Sequence, residues 1–103
     1  MTELKKGYYL VKTTDTEITE KNFISDKKLE LETLQELVGG YIQIINGKFQ
    51  KQNVSIIMDE EGKLKENPQY NELATKMLLA NMGESMFLDV VVGDVVVAKG
   101  FRS

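Results

Sequence analysis

Two stretches of the chain repeat their apolar residues at helical spacing, and the remaining apolar runs read as strands. Leu31, Leu34, Leu37 and Val38 fall on one face of a helix predicted over Leu31 to Val38. Glu30, Glu32 and Glu36 lie outside that face or near the positive N-terminal end, where acids are favoured. Gly39 then occupies the position after the helix, where a left-handed backbone costs glycine least. Gly40 lets the chain reverse into a strand. The second helix is predicted over Pro68 to Met82, with Tyr70, Leu73, Ala74, Met77 and Leu78 on one stripe. Asn67 is its expected N-cap, Pro68 its first helical residue and Gly83 its stop.

Gly7 to Lys12 (GYYLVK) is aromatic and β-branched, and predicts a strand. Ile18 to Ile24 reads as a short strand or an extended arm, because its apolar residues keep no clean period. Tyr41 to Ile45 and Asn53 to Met58 predict two further strands, joined by a hairpin turn at Asn46-Gly47. Asp59 to Gly62 predicts another tight turn, exposed to solvent, with Gly62 left-handed. Phe87 to Lys99 is the most β-rich stretch, kinked or folded into a hairpin at Gly93-Asp94. Both faces of Val95 to Ala98 are apolar, which predicts a central strand covered on both sides.

These elements predict an α+β fold: one domain over 1–103, its core at 8–100, with a mostly antiparallel sheet of about five strands and two helices. Residues 13–28 are the part the pattern specifies least. Both helices are expected on one sheet face, covering Leu31, Leu34, Leu37, Leu73, Met77 and Leu78 together.

Composition narrows the chemistry more than the fold. The chain has 103 residues, 42% apolar and 28% charged, with one proline. It contains no histidine, cysteine or tryptophan, which removes the usual base near neutral pH, thiolate catalysis and cysteine-ligated zinc. A net charge of −3 gives no electrostatic reason to expect nucleic acid or an anionic membrane as partner. No apolar run reaches the ~18 residues that span a bilayer, and MTELKKGYYLVK lacks a signal-peptide core. The expected compartment is the cytoplasm.

The acidic run Asp59, Glu60 and Glu61 is the most chemical feature: three carboxylates could contact a hard cation or a ligand. It lacks the alternating layout of a helix–loop–helix calcium loop. The double glycine follows a helix, whereas phosphate loops place glycines before one, so Gly39-Gly40 reads as a C-cap. Asp89 and Asp94 could form an acid pair, although Asp94 beside Gly93 also suits a turn. Asn67, Asn71 and Thr75 share one side of the second helix's start, as a cap or as a polar contact patch. Met77, Met82 and Met86 suit either core filling or an adaptable surface.

Three runs carry a family resemblance: LQELVGGYIQII at 34–45, MDEEGKLKENPQYNELAT at 58–75 and DVVVGDVVVAKG at 89–100. Together they resemble a family of small domains of unknown function encoded by phages, prophages and plasmids, over roughly Tyr8 to Gly100. The resemblance implies an accessory protein of a mobile element in a bacterial cytoplasm, and it carries no activity with it.

The reading that follows is a non-enzymatic binding or interaction module whose partner is a host protein or a small molecule. Its candidate contact residues are Asp59, Glu60, Glu61, Asn67, Asn71 and Thr75; no catalytic residue, metal ligand or cofactor is assigned. The alternatives are a metal-dependent or acid-pair hydrolase using Asp59, Glu60, Glu61, Asp89 or Asp94, and a nucleic-acid-binding regulator. Self-association through an uncovered sheet edge is open as well.

Overall fold

The computed structural model describes residues 3–64, 66–82 and 90–100. Five strands form one sheet: β1 (Gly7–Val11), β2 (Phe23–Ser25), β3 (Ile42–Phe49), β4 (Gln52–Asp59) and β5 (Val95–Lys99). Their spatial order is β2-β1-β5-β4-β3, and every neighbouring pair is antiparallel. Two α-helices, α1 (Leu31–Val38) and α2 (Glu72–Met82), complete an α+β fold. The expected helix stop at Gly83, the strand start at Phe87 to Asp89, and Met86 lie outside the described residues.

β5 is central, as its unbroken apolar run requires. Val95, Val96 and Val97 are fully buried, and alternate residues point to opposite faces. Val95 and Val97 join Tyr9, Val11, Ile56, Met58, Met77 and Leu78 in one cluster. Val96 and Ala98 join Tyr8, Leu34, Val38 and Ile57 in the other. The helices therefore cover opposite faces of the sheet, α2 one and α1 the other, and the expectation of one shared face is wrong. A strand apolar on both sides needs a cover on both sides. Leu31, expected in the core, is 56% exposed.

The β3–β4 hairpin also turns elsewhere than predicted. Asn46 and Gly47 lie inside β3, opposite Ser55 and Val54, and Phe49 pairs with Gln52. The two-residue turn is Gln50-Lys51, with φ of 48° and 68°, the positive values a type I′ turn demands. Gly47 serves packing instead. A Cβ there would stand 2.6 Å from Ile56 Cδ1 and 3.1 Å from the Met77 carbonyl oxygen, so the glycine lets α2 approach the sheet closely.

Helix α1 keeps its predicted bounds and ends on Gly39 at φ 87°, whose N–H donates to the Gln35 carbonyl at 2.8 Å. Helix α2 starts later than predicted: Asn67 has φ 55° and Pro68 precedes the helix. Gly62 does not take a positive φ; it opens a single 3-10 turn over Gly62–Leu64. Between Ile18 and Ile24 the chain makes a 3-10 turn at Glu20–Asn22, closed by a Thr19–Asn22 capping box, before β2 begins.

Candidate functional site

The joint between α1 and β3 rests on the end of β4. Glu60 N–H donates to the Tyr41 carbonyl at 2.8 Å, which ties the acidic turn to the first residue after the double glycine. A Cβ on Gly40 would stand 2.9 Å from Asp59 Oδ1, so that glycine leaves room for the carboxylate. Asp59 is only 8% exposed, contrary to the solvent-exposed turn expected of it. Its Oδ1 accepts a hydrogen bond from the Glu61 N–H at 3.0 Å, the local side-chain turn that aspartate favours. Glu60 and Glu61 remain exposed. The three carboxylates therefore do not converge. Among the described residues no group of three or more His, Cys, Asp or Glu is placed to hold a metal ion.

Beyond Asp59, Gly62 packs under Val92, with a Cβ position 2.8 Å from Val92 Cγ2. A cleft of about 190 Å³ opens here, bounded by Val38, Asp59, Glu66, Asn67, Gln69 and Val92. All three runs that carry the family resemblance meet at this point. Asn67 reaches the cleft as an exposed residue in the left-handed region, not as a helix cap.

The cap is Asn71, which is fully buried. Its Oδ1 accepts from the Ala74 N–H at 3.0 Å, three residues on, as an N-cap should. Its Nδ2 donates to the Val11 carbonyl at 3.2 Å and the Gly93 carbonyl at 2.9 Å. Both amide hydrogens are thus engaged by backbone of β1 and of the segment before β5. Thr75 Oγ1 donates to the Asn71 carbonyl and accepts from the Val91 N–H, each at 2.8 Å. Asn71 N–H donates to the Val91 carbonyl at 2.8 Å, and Gly93 N–H to the Gln69 carbonyl at 2.7 Å. Asn71 and Thr75 together fasten the start of α2 to the chain that enters β5.

Asp94 accepts the Thr13 N–H at 3.1 Å and so anchors the turn after β1. Asp89, its proposed acidic partner, lies outside the described residues. Asp15 is held likewise, accepting from the Lys12 N–H at 2.8 Å and Asn22 Nδ2 at 3.1 Å.

The structure also holds an apolar groove that the hydropathy pattern does not predict. On the α1 face, a groove of about 240 Å³ runs between the helix's first turn and the sheet, lined by Tyr8, Leu29, Leu34, Ile42, Ile44 and Ile57. Leu31 stands at its mouth, Ile44 is 39% exposed, and Lys28 sits on the rim. The cause is length. Eight residues of helix extend ~12 Å, whereas five strands span ~20 Å or more across, so α1 cannot cover its face. That mismatch was the sequence signal for the groove.

Among the described residues no helix is long and apolar enough to cross a membrane. Comparison with curated proteins and with solved structures finds no match. The profile of one family, described as Domain of unknown function (DUF3846), matches residues 6–102, which takes in β1 through β5, both helices and all three resembling runs. The chain belongs to that family.

Proposed function

We propose that this chain is a non-enzymatic interaction module, an accessory protein of a mobile element that binds a partner protein in the bacterial cytoplasm. The observation that carries the reading is the uncovered apolar groove beside α1. Exposed apolar surface with a polar rim is what a protein–protein contact needs. Ile42, Ile44, Leu31 and Leu29 offer the apolar centre. Lys28 gives the groove a charged rim, and the exposed Glu60 and Glu61, beside the start of β3, with Asn67 at the neighbouring cleft, offer polar contacts further out. Asp59 supports the α1–β3 joint beside this surface, whereas Asn71 and Thr75 brace α2 on the opposite face of the sheet. The accessory-protein context rests on the resemblance of the three runs.

Site-directed photocrosslinking in bacterial cells tests this. A photoreactive residue at Leu31 should capture a discrete partner, whereas one at the exposed Glu17, away from the groove, should not. Capture should be lost when Ile42→Lys is added to the Leu31 probe. Equal labelling from both positions, or none from Leu31, would reject the groove as a contact surface.

A further inference from the structure

The two edges of the sheet are unlike. β2 has three residues, and its pairing with β1 is interrupted by a register shift between Tyr8 and Tyr9. Short, irregular edges are a common guard against unwanted strand pairing. β3 has eight residues in unbroken register with β4, and among the described residues nothing pairs with its outer side. Two large apolar side chains are exposed at that edge: Tyr41, just before the strand, is 69% exposed, and Ile44 lines the open groove.

Charge is sorted between the two ends of the β3–β4 hairpin. Glu60 and Glu61 lie beside its start, where the Glu60 N–H meets the Tyr41 carbonyl. Lys48 and Lys51 lie at its far end. All four are exposed, and no ion pair joins any of them to another described residue. Between Tyr41 and Lys48 the strand rises ~24 Å, well beyond the ~8–10 Å screening length at physiological salt. Within one copy these opposite charges hardly interact.

We infer that β3 pairs with β3 of a second copy, antiparallel, about a two-fold axis perpendicular to the sheet. Antiparallel pairing reverses one strand against the other, so the lysine end of each copy meets the glutamate end of its partner at both ends of the interface. A two-fold contact of this kind is self-complementary. The five-stranded sheet becomes a ten-stranded one with both α1 helices on the same side. The two grooves then run together across the axis, which doubles the apolar surface available to a third molecule. The inference rests on the edge and its charges, not on occupancy of the groove.

Reciprocal charge reversal tests it, with molar mass measured by light scattering at about 100 μM protein and low salt, a concentration suited to a weak interface. The wild-type chain should run at twice its monomer mass, and the mass should fall as salt is raised. Lys48→Glu with Lys51→Glu should be monomeric, as should Glu60→Lys with Glu61→Lys, since each places like charges at both ends. An equimolar mixture of the two should recover the double mass, because the heterodimer has opposite charges at both ends. Far-ultraviolet circular dichroism of each variant confirms that these exposed positions leave the fold intact. A monomeric wild-type chain overturns the inference, and so does a dimer that survives both reversals. Crosslinking from Leu31 reads α1 and not β3, so failure of one proposal leaves the other standing.

Discussion

Gly40 lies against the carboxylate of Asp59, with the position of a Cβ only 2.9 Å from Oδ1. Its neighbour Gly39 is needed for another reason, its φ of 87°. The two glycines thus answer separate demands, one for backbone conformation and one for space. Gly39→Ala should cost about 1 kcal/mol, the order of an alanine held in the left-handed region. Gly40→Ala should cost about 1–3 kcal/mol through overpacking. Urea denaturation measures both. In an Asp59→Ala background the Gly40→Ala cost should largely vanish, since the obstacle is gone, whereas the Gly39→Ala cost should persist. A Gly40→Ala cost unchanged by removing Asp59 would show that the contact is not what excludes a side chain.

Asn71 joins three parts of the chain that are distant in sequence, β1, the start of α2 and the segment before β5. Asn71→Ala removes the α2 cap and leaves the Val11 and Gly93 carbonyls without their side-chain donor. The expected loss is about 2–4 kcal/mol, combining a cap of ~1 kcal/mol with buried acceptors left unmet. Asn71→Asp separates the two contributions. It keeps the oxygen that accepts from Ala74 N–H but loses both donors. If the brace matters more than the cap, Asn71→Asp will be no more stable than Asn71→Ala at neutral pH. A near-wild-type Asn71→Asp would assign the effect to the cap alone.

Periodicity made most of this fold readable, and the misreadings share a cause. Leu34, Leu37 and Val38 mark α1 by spacing alone, and the buried run Val95 to Ala98 marks the central strand. That run already required a helix on each face, since its even and odd residues cannot be covered from one side. Expecting both helices on one face overlooked that constraint. Asn46-Gly47 misled because the dipeptide satisfies turn chemistry while the true reason for the glycine, the approach of Met77 on α2, is a contact thirty residues away. Asn67-Pro68 misled similarly: it resembles a cap, but Asn71 has the backbone partners. The acidic run at Asp59 resembles an exposed turn, and only the fold shows Gly40 above its carboxylate. Local signals located the elements. They could not show which residues meet.

Gly47 gives that lesson a measurement. Its Cβ position is blocked by Ile56 Cδ1 at 2.6 Å and by the Met77 backbone oxygen at 3.1 Å. Ile56 can change rotamer; the α2 backbone cannot move without disturbing Leu78 and Ala74 in the same cluster. Gly47→Ala should therefore lose about 1–3 kcal/mol in thermal or urea unfolding, and Gly47→Val more. Had Gly47 been the turn glycine, Gln50 and Lys51 would lie within a strand, and Gln50→Gly with Lys51→Gly would be clearly destabilising. Because those two residues hold the positive φ values, replacing either by glycine should change stability little or raise it slightly.

Tyr9 supplies the pH dependence. It is buried against Phe23, the rings edge to face at a centroid distance of 5.4 Å, and its hydroxyl donates to the Lys5 carbonyl at 2.8 Å. Lys5 Nζ stands 4.2 Å from the Phe23 ring centre. Burial disfavours the phenolate and raises the Tyr9 pKa above its ordinary value of 10.0. A group whose folded pKa is raised contributes stability that is complete below the unfolded value and is lost as pH climbs through the folded one. Wild-type stability should therefore decline above about pH 10 partly through this residue. Tyr9→Phe keeps the ring, loses the hydrogen bond to Lys5, and has no proton to release. At neutral pH it should be less stable than wild type by about 0.5–1.5 kcal/mol. Above about pH 10 that gap should narrow, because only the wild-type chain is penalised for ionising. Urea unfolding at a series of pH values from neutral to alkaline measures it. A gap that stays constant across the series would mean that Tyr9 ionises as readily in the folded chain as in the unfolded one, and that its burial leaves the hydroxyl in contact with water.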